Sequence, residues 1–270
     1  MTVPPPPLEL AVEVATAAGA LLADFADRRR YGADIGIETK TTATDPVSEA
    51  DRAAERLIAE RLLGARPDDG LLGEEDQAPR RGSSGYRWVV DPLDGTVNFL
   101  YDRPAWCVSI ACEDADGSVV GVVHAPVLGE TWVAERGGGA RLLQDDRAVR
   151  VTDVPSLDRA LVAIGFTYDA AVRAQQGRDN ADLVGRVRDV RRDGSAALDL
   201  VGVAAGRVDG YLEHGLKLWD HAAGSLLVTE AGGRFTSVER EIAGQVLPGV
   251  VAGGPAVHDL LLEWEIAHRG

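Results

Sequence analysis

The chain has 270 residues, 45% of them hydrophobic and 26% charged, with a formal net charge of −15. That length suits one large domain or two tightly packed ones around a substantial core. The acidic balance argues against a nucleic-acid partner, which demands clustered Lys and Arg; the surplus carboxylate is either a solubility charge or ligand committed to cations.

The opening stretch MTVPPPPLEL has neither a basic n-region nor an apolar h-region, and reads as a stiff leader, not a signal peptide. Apolar residues at helical spacing (Val14, Ala18, Leu21, Leu22, Phe25) predict a helix from Leu8 to about Arg29. Ser48, with Asp51 three residues on, opens a second helix through Ala53, Ala54, Leu57, Ile58 and Leu62. A strand rhythm follows at Leu71-Leu72, Tyr86–Val90, Trp106–Cys112, Val119–His124 and Thr131–Ala134, with a hairpin turn at Asp116-Gly117. Cys107 and Cys112 lie five apart in one strand-like run, on opposite faces, and cannot pair with each other. No zinc spacing occurs, so a reduced cytosol fits and the expected location is cytoplasmic. No apolar run approaches the ~18 residues that span a bilayer.

After about Val151 the pattern alternates. Ala160–Ile164 reads as a strand, Ala181–Val190 and Ser195–Ala205 as helices, and Val208–Glu213 as a strand. A helix over Asp220–Ala231 ends at Gly232-Gly233; a short strand at Gly249–Ala252 and a helix at Ala256–Ile266 complete the chain. The expected architecture is layered α+β and α/β. An N-terminal α+β half, 1–150, carries most of the acidic site, and a C-terminal α/β half, 151–270, completes it.

The stretch WVVDPLDGTVNF, Trp88 to Phe99, runs a hydrophobic strand into two carboxylates. Pro92 cannot continue a ladder, so the strand is expected to stop there, and Gly95 permits a turn that lets Asp91 and Asp94 converge. Two such charges ~4 Å apart at an effective dielectric of about 20 repel by roughly 4 kcal/mol. A bound cation, a shared proton or plain solvent exposure would each explain the pair; Asp94 and Thr96 opening a short helix is a fourth reading. Acid also meets apolar sequence at Leu72-Gly73-Glu74-Glu75 and at Trp219-Asp220, where Asp220 alone would be an N-cap. Three such meetings suit an oxygen-only cage of the kind Mg²⁺ uses, with waters and substrate phosphate completing it. The five histidines show no metal-ligand spacing.

These residues carry a resemblance to the inositol monophosphatase family of Mg²⁺-dependent, Li⁺-sensitive phosphatases. The matching blocks, in the family's order, are Asp45 to Asp51, Gly73-Glu74-Glu75 and Trp88 to Phe99. Gly194 to Leu200, Trp219 to Gly224 and Glu230 to Gly233 follow, so the match covers nearly the whole chain. The resemblance implies an inositol monophosphatase-like layered fold and hydrolysis of myo-inositol monophosphate by metal-activated water. It implies a first Mg²⁺ on Glu74, Asp91 and the Leu93 carbonyl, and a second on Asp91, Asp94 and Asp220. It allows a third, weaker ion near Glu74. Asp51, Thr96 and Glu74 are the implied catalytic residues, with Asp51 and Thr96 orienting the attacking water. Asp51 has a compatible second reading as the acid of a capping box begun by Ser48. Implied substrate contacts are Leu93, Asp94, Gly95, Thr96, Arg191, Gly194, Ser195, Ala196, Glu213 and Asp220. Lys40 matches a family lysine that can balance charge near the site, or is an ordinary exposed lysine. Glu213 suits vicinal hydroxyls, or is a strand-end surface charge. Family members are commonly dimers, so a homodimer is expected, acting on a small phosphorylated polyol or amino alcohol with no membrane partner.

Val97 stands where the family often has threonine, and Asp102-Arg103 follows the aromatic at Tyr101; both leave the alcohol open. Histidinol phosphate is the runner-up substrate, and fructose 1,6-bisphosphate a further one. An aspartyl-phosphate phosphatase would need Asp-x-Asp, whereas Pro92 and Leu93 both intervene here. A metal-dependent interaction protein without turnover is the non-enzymatic alternative, weighed against a complete set of Asp51, Glu74, Asp91, Asp94, Thr96 and Asp220.

Overall fold

The computed structural model describes residues 7–32, 34–39, 46–47, 49–75 and 79–268. Lys40 and Ser48 lie outside them. Helix α1 (Pro7–Arg30) buries Leu10, Ala11, Val14, Ala15, Ala18 and Leu22, a stripe at helical spacing. After the short antiparallel pair β1 (Glu38–Thr39) and β2 (Pro46–Val47), α2 (Glu49–Ala65) packs beside α1 through Ala50, Ala54, Ile58 and Leu62.

Both helices cover one face of a seven-stranded sheet. Its strands are β3 (Gly70–Gly73), β4 (Arg87–Asp94), β5 (Cys107–Asp114), β6 (Gly117–Ala125), β7 (Glu130–Glu135), β8 (Gly139–Leu142) and β9 (Arg147–Ala148). They lie side by side in chain order, β3 parallel to β4 and the rest antiparallel. Trp88, Val90, Val108, Ile110 and Cys112 face α1 and α2, while Val89, Cys107, Ala111 and Val123 join the core on the other side. The period of two thus puts the two buried thiols on opposite faces of β5. Short α3 (Thr96–Leu100) follows β4 directly.

The second sheet has the order β11 (Asp189–Arg191), β10 (Leu161–Ile164), β12 (Gly210–His214), β14 (Gln245–Gly253), β13 (Arg234–Ile242). Strand β10 runs parallel to both neighbours, and β14 antiparallel to both of its own. Helices α5 (Ala196–Ala204) and α6 (Leu218–Glu230) share one core with Val89 and Cys107 of the first sheet and with Ala163, Tyr211 and Val250 of the second. On the far face, α7 (Pro255–Ala267) and α4 (Ala170–Val184) contribute Val257, Leu261, Trp264 and Leu183 to a third core. The result is a layered α/β/α/β/α stack, as the sequence predicts. No helix among the described residues is long and apolar enough to cross a membrane.

Several boundaries differ from expectation. Strand β4 does not stop at Pro92 but runs to Asp94 through a bulge: Asp91 pairs with Ser109 and Asp94 with Cys107, so Pro92 and Leu93 together oppose Val108. A bulge tolerates a proline because the extra residue leaves the ladder. The helix expected over Ala181–Val190 is α4, starting at Ala170 and ending at Val184, and Asp189–Arg191 is an edge strand. Helix α4 buries only Val172, Gln176 and Leu183, too thin a stripe to announce itself; its cap Asp169, which accepts from Ala171 N and Val172 N, was the better signal. Of the β13–β14 hairpin, the sequence pattern predicts only Gly249–Ala252. Its alternation, with Val238, Arg240 and Ile242 turned inward, is masked by polar neighbours, and Ala243-Gly244 makes the turn at φ 52° and 79°. The β5–β6 loop is Ala115-Asp116, one residue earlier than expected, because Asp114 pairs with Gly117.

Candidate active site

The β4 bulge aims Asp91 and Asp94 past the strand end. Asp91 is 2% exposed, and its Oδ1 accepts from Leu93 N at 3.0 Å, which tightens the bulge. Gly95 then turns the chain into α3 at φ 94°, where a Cβ would lie 2.8 Å from Ala105 O, so only glycine fits. The first residue of α3, Thr96, places Oγ1 3.1 Å from Asp51 Oδ1 and 3.1 Å from Leu93 O. Asp51 is fully buried on α2, behind Thr96. Glu74 follows β3 in a turn held from α2 by Glu55, whose Oε2 accepts from Glu75 N at 2.9 Å.

The second half closes the site. Asp94 Oδ2 accepts from Ser195 Oγ at 2.6 Å and from Ala197 N at 2.7 Å, both at the start of α5. Asp220 is not the N-cap of α6; it lies in the first turn, and Lys217 N at the cap donates to its Oδ2 at 2.6 Å. A cleft of about 460 Å³ results. Glu74, Asp91, Leu93, Asp94, Gly95 and Thr96 line one side, and Gly194, Ala196, Glu213 and Asp220 the other. A hollow of about 410 Å³ between α2 and β3 holds Arg52 and Arg56, which pair with Glu38 and Glu49, together with Glu55, Glu75 and Arg80.

Two expected residues sit elsewhere. Ser195 stands behind Asp94, away from the cleft wall. Arg191 is exposed and pairs with Asp189 Oδ2 at 2.7 Å; its neighbour Arg192 lines the cleft instead. Consecutive residues leave an extended strand on opposite sides, so the Arg-Arg pair alone could not say which one enters. Lys40 lies outside the described residues. Sequence reasoning also missed Lys217 and the loop from Phe166 to Asp169, which line the cleft.

Electrostatics single out one end of the cleft. Burial, then the fields of Glu74, Asp94 and Asp220, push the Asp91 carboxyl well above the usual range. Burial and Glu74 raise Asp220 well above it, against the Lys217 N–H. Asp94 rises to about 6 because burial outweighs the bonds from Ser195 and Ala197. At the other end, burial raises Glu213 to about 7, although Tyr211 Oη donates to its Oε2 at 2.7 Å and Arg192 opposes the shift. Glu213 packs over Gly165, where a Cβ would fall 1.6 Å from Oε2.

Among the described residues no three such side chains already form a ready-made metal cage. Mg²⁺ does not require one, since it keeps several waters and takes one or two carboxylates plus phosphate oxygens. The donor set fits a hard cation: Glu74, Asp91, Asp94 and Asp220 all line the cleft, and burial, with the field of Glu74 added to it, raises the proton affinity of the three aspartates in the absence of positive charge.

The chain matches the sequence profile described as the inositol monophosphatase family over residues 6–266. It is 42% identical over 245 residues to inositol-1-monophosphatase SuhB of Mycobacterium tuberculosis (strain H37Rv), covering 88% of this chain and 84% of that one. It is 47% identical over 199 residues to inositol-1-monophosphatase of Rhizobium meliloti, covering 72% and 73%. The crystal structure of the extragenic suppressor protein suhB from Bartonella henselae superposes with a TM-score of 0.84 at 36% identity, covering 95% and 96% of the two chains.

Proposed function

Because the chain belongs to the inositol monophosphatase family, we propose that it is a Mg²⁺-dependent phosphomonoesterase that hydrolyses myo-inositol monophosphate to inositol and phosphate. The observation that carries this reading is the set of four acids lining a single cleft: Glu74 after β3, Asp91 and Asp94 at the end of β4, and Asp220 in the first turn of α6. When bound there, Mg²⁺ supplies charge to neutralise the phosphate and lowers the pKa of water. Glu74, Asp91, the Leu93 carbonyl, Asp94 and Asp220 are the proposed holders of two ions.

The chain's own part is positioning and proton transfer. Thr96 Oγ1 orients the attacking water: as the water's proton passes to Oγ1, the hydroxyl proton moves to Asp51 Oδ1, 3.1 Å away. Gly95 and Thr96 offer backbone N–H groups to the phosphate at the start of α3. No nucleophilic side chain is needed, because phosphoryl transfer depends chiefly on positioning and charge. Glu213 accepts from the alcohol's hydroxyls, with Gly194 and Ala196 keeping that wall shallow. Arg192 and Lys217 share the cleft and disfavour a cationic alcohol, which supports a neutral polyol over histidinol phosphate. The same two cations favour fructose 1,6-bisphosphate as the second reading, since they suit a further phosphate. A cytoplasmic homodimer belongs to the same proposal.

The test is phosphate release from inositol 1-phosphate, histidinol phosphate and fructose 1,6-bisphosphate, with and without Mg²⁺. Inositol 1-phosphate should be preferred, and Asp91→Asn should lose turnover with its circular dichroism unchanged. Near-normal activity in Asp91→Asn, or turnover indifferent to Mg²⁺, would remove the metal from the scheme.

A further inference from the structure

The alcohol end of the cleft rests on a buried polar brace outside the residues assigned to substrate. One rim is the loop after β10, with Thr167; the other is the end of β12 and the turn that follows, with His214 and Gly215. The rims touch, for a Cβ on Gly215 would lie 2.3 Å from Thr167 Cγ2. Gln176 of α4, 4% exposed, spans them: its Oε1 accepts from Thr167 N at 3.1 Å and its Nε2 donates to His214 O at 3.4 Å. A buried amide costs free energy unless paired, and a leucine would fill the same space without that cost. What the amide adds is the ability to accept from one rim and donate to the other while uncharged.

The brace continues behind the rim. His214 Nε2 lies 3.0 Å from Glu265 Oε1 of α7, and Glu265 Oε2 accepts from Arg240 Nη1 of β13 at 3.4 Å. Arg240 also pairs with Asp179, which returns the network to α4. Thus α4, β12, β13 and α7 close a ring under the wall that carries Glu213. The metal end draws Asp91, Asp94 and Thr96 from the other sheet and α3, outside this ring.

We propose that Gln176 is a specificity-determining positioning residue, which locks the Thr167 rim to the His214 rim and so sets the width of the cleft for a polyol. The inference rests on the phosphatase reading above and deepens it. Gln176→Leu should raise KM for inositol 1-phosphate about tenfold, the scale of one lost pocket contact, with kcat within about twofold. Both constants for p-nitrophenyl phosphate, which presents no polyol, should stay within about twofold of wild type.

Gln176→Glu supplies the readout that a merely structural role would not move. A protonated glutamic acid can accept from Thr167 N and donate to His214 O as glutamine does; the carboxylate cannot donate. Its KM for inositol 1-phosphate, taken relative to wild type at each pH, should fall toward unity as pH is lowered from 8 to 6, whereas that of Gln176→Leu should not. The charged and titratable groups facing the position are Asp169, Arg173 and Asp179, Glu213 and His214, Arg240 and Glu265, the same in every variant. Equal losses on both esters, or an unchanged KM for inositol 1-phosphate, would overturn the inference alone. Wild-type protein inert toward both esters would overturn the phosphatase reading and the inference with it. Should Gln176→Leu fold poorly, the pH series of Gln176→Glu decides the matter.

Discussion

Ser195 Oγ donates to Asp94 Oδ2 across 2.6 Å, joining residues 101 apart in the chain and tying the start of α5 to the end of β4. With Ala197 N on the same oxygen, the carboxyl is held through Oδ2 while Asp94 lines the cleft. Ser195→Ala removes the hydroxyl bond and leaves the amide. Metal affinity should fall about 10- to 100-fold, the usual cost of losing a group that orients a ligand. A Mg²⁺ titration of activity checks this; an unchanged midpoint would show that Ala197 suffices.

A carboxyl whose pKa is raised on folding contributes stability that is present at low pH and lost as pH rises through the folded value. Asp94 moves from 3.8 to about 6 and Glu213 from 4.5 to about 7, so the metal-free protein should lose stability between pH 4 and 7. Mg²⁺ at 100 times its dissociation constant should restore about 2.7 kcal/mol at neutral pH. The gain should shrink toward pH 5, where protons compete for the same oxygens. Melting temperatures across pH, with and without Mg²⁺, are the measurement; curves that superimpose would refute cation binding.

Asp199 of α5 is 3% exposed, and its Oδ2 has no hydrogen-bond partner among the described residues. Burial first, then Glu213 and Asp193, raise its carboxyl well above the usual 3.8, so ionisation is costly in the folded state. Asp199→Asn should therefore stabilise the protein at pH 8 by about 1 kcal/mol, the scale of one unsatisfied buried acceptor. The difference should vanish near pH 4, below which both folded and unfolded wild type are protonated. Denaturant titrations at the two pH values test it, and destabilisation at pH 8 would mean a charged, partnered carboxylate.

Both cysteines are free and buried. Burial pushes the Cys112 thiol up to about 12 and the Cys107 thiol well above its usual range. Thiolate, the reactive form, is then negligible at pH 8. An aromatic disulfide reagent should label neither residue in the native protein and both in denaturant; rapid native labelling would show that one of these strands opens.

The periodicities of α1 and α2, the alternation in β5 to β7 and the acidic blocks at Glu74, Asp91, Asp94 and Asp220 are legible in the order of residues, because each reports a preference of a few neighbouring residues. From them follow the layered fold, the segregation of Cys107 from Cys112 and the chemical character of the candidate site. Where such a signal is thin it misleads: α4 buries three residues, β13 alternates among polar neighbours, and Pro92 signals a strand end where a bulge carries β4 onward. Other matters belong to the tertiary structure alone. Only packing between distant segments puts Ser195 behind Asp94, turns Arg192 and not Arg191 toward the cleft, and sets Gln176 between two rims. Burial, which shifts the site's pKa values most, is likewise a property of the assembled layers and of no short stretch of chain.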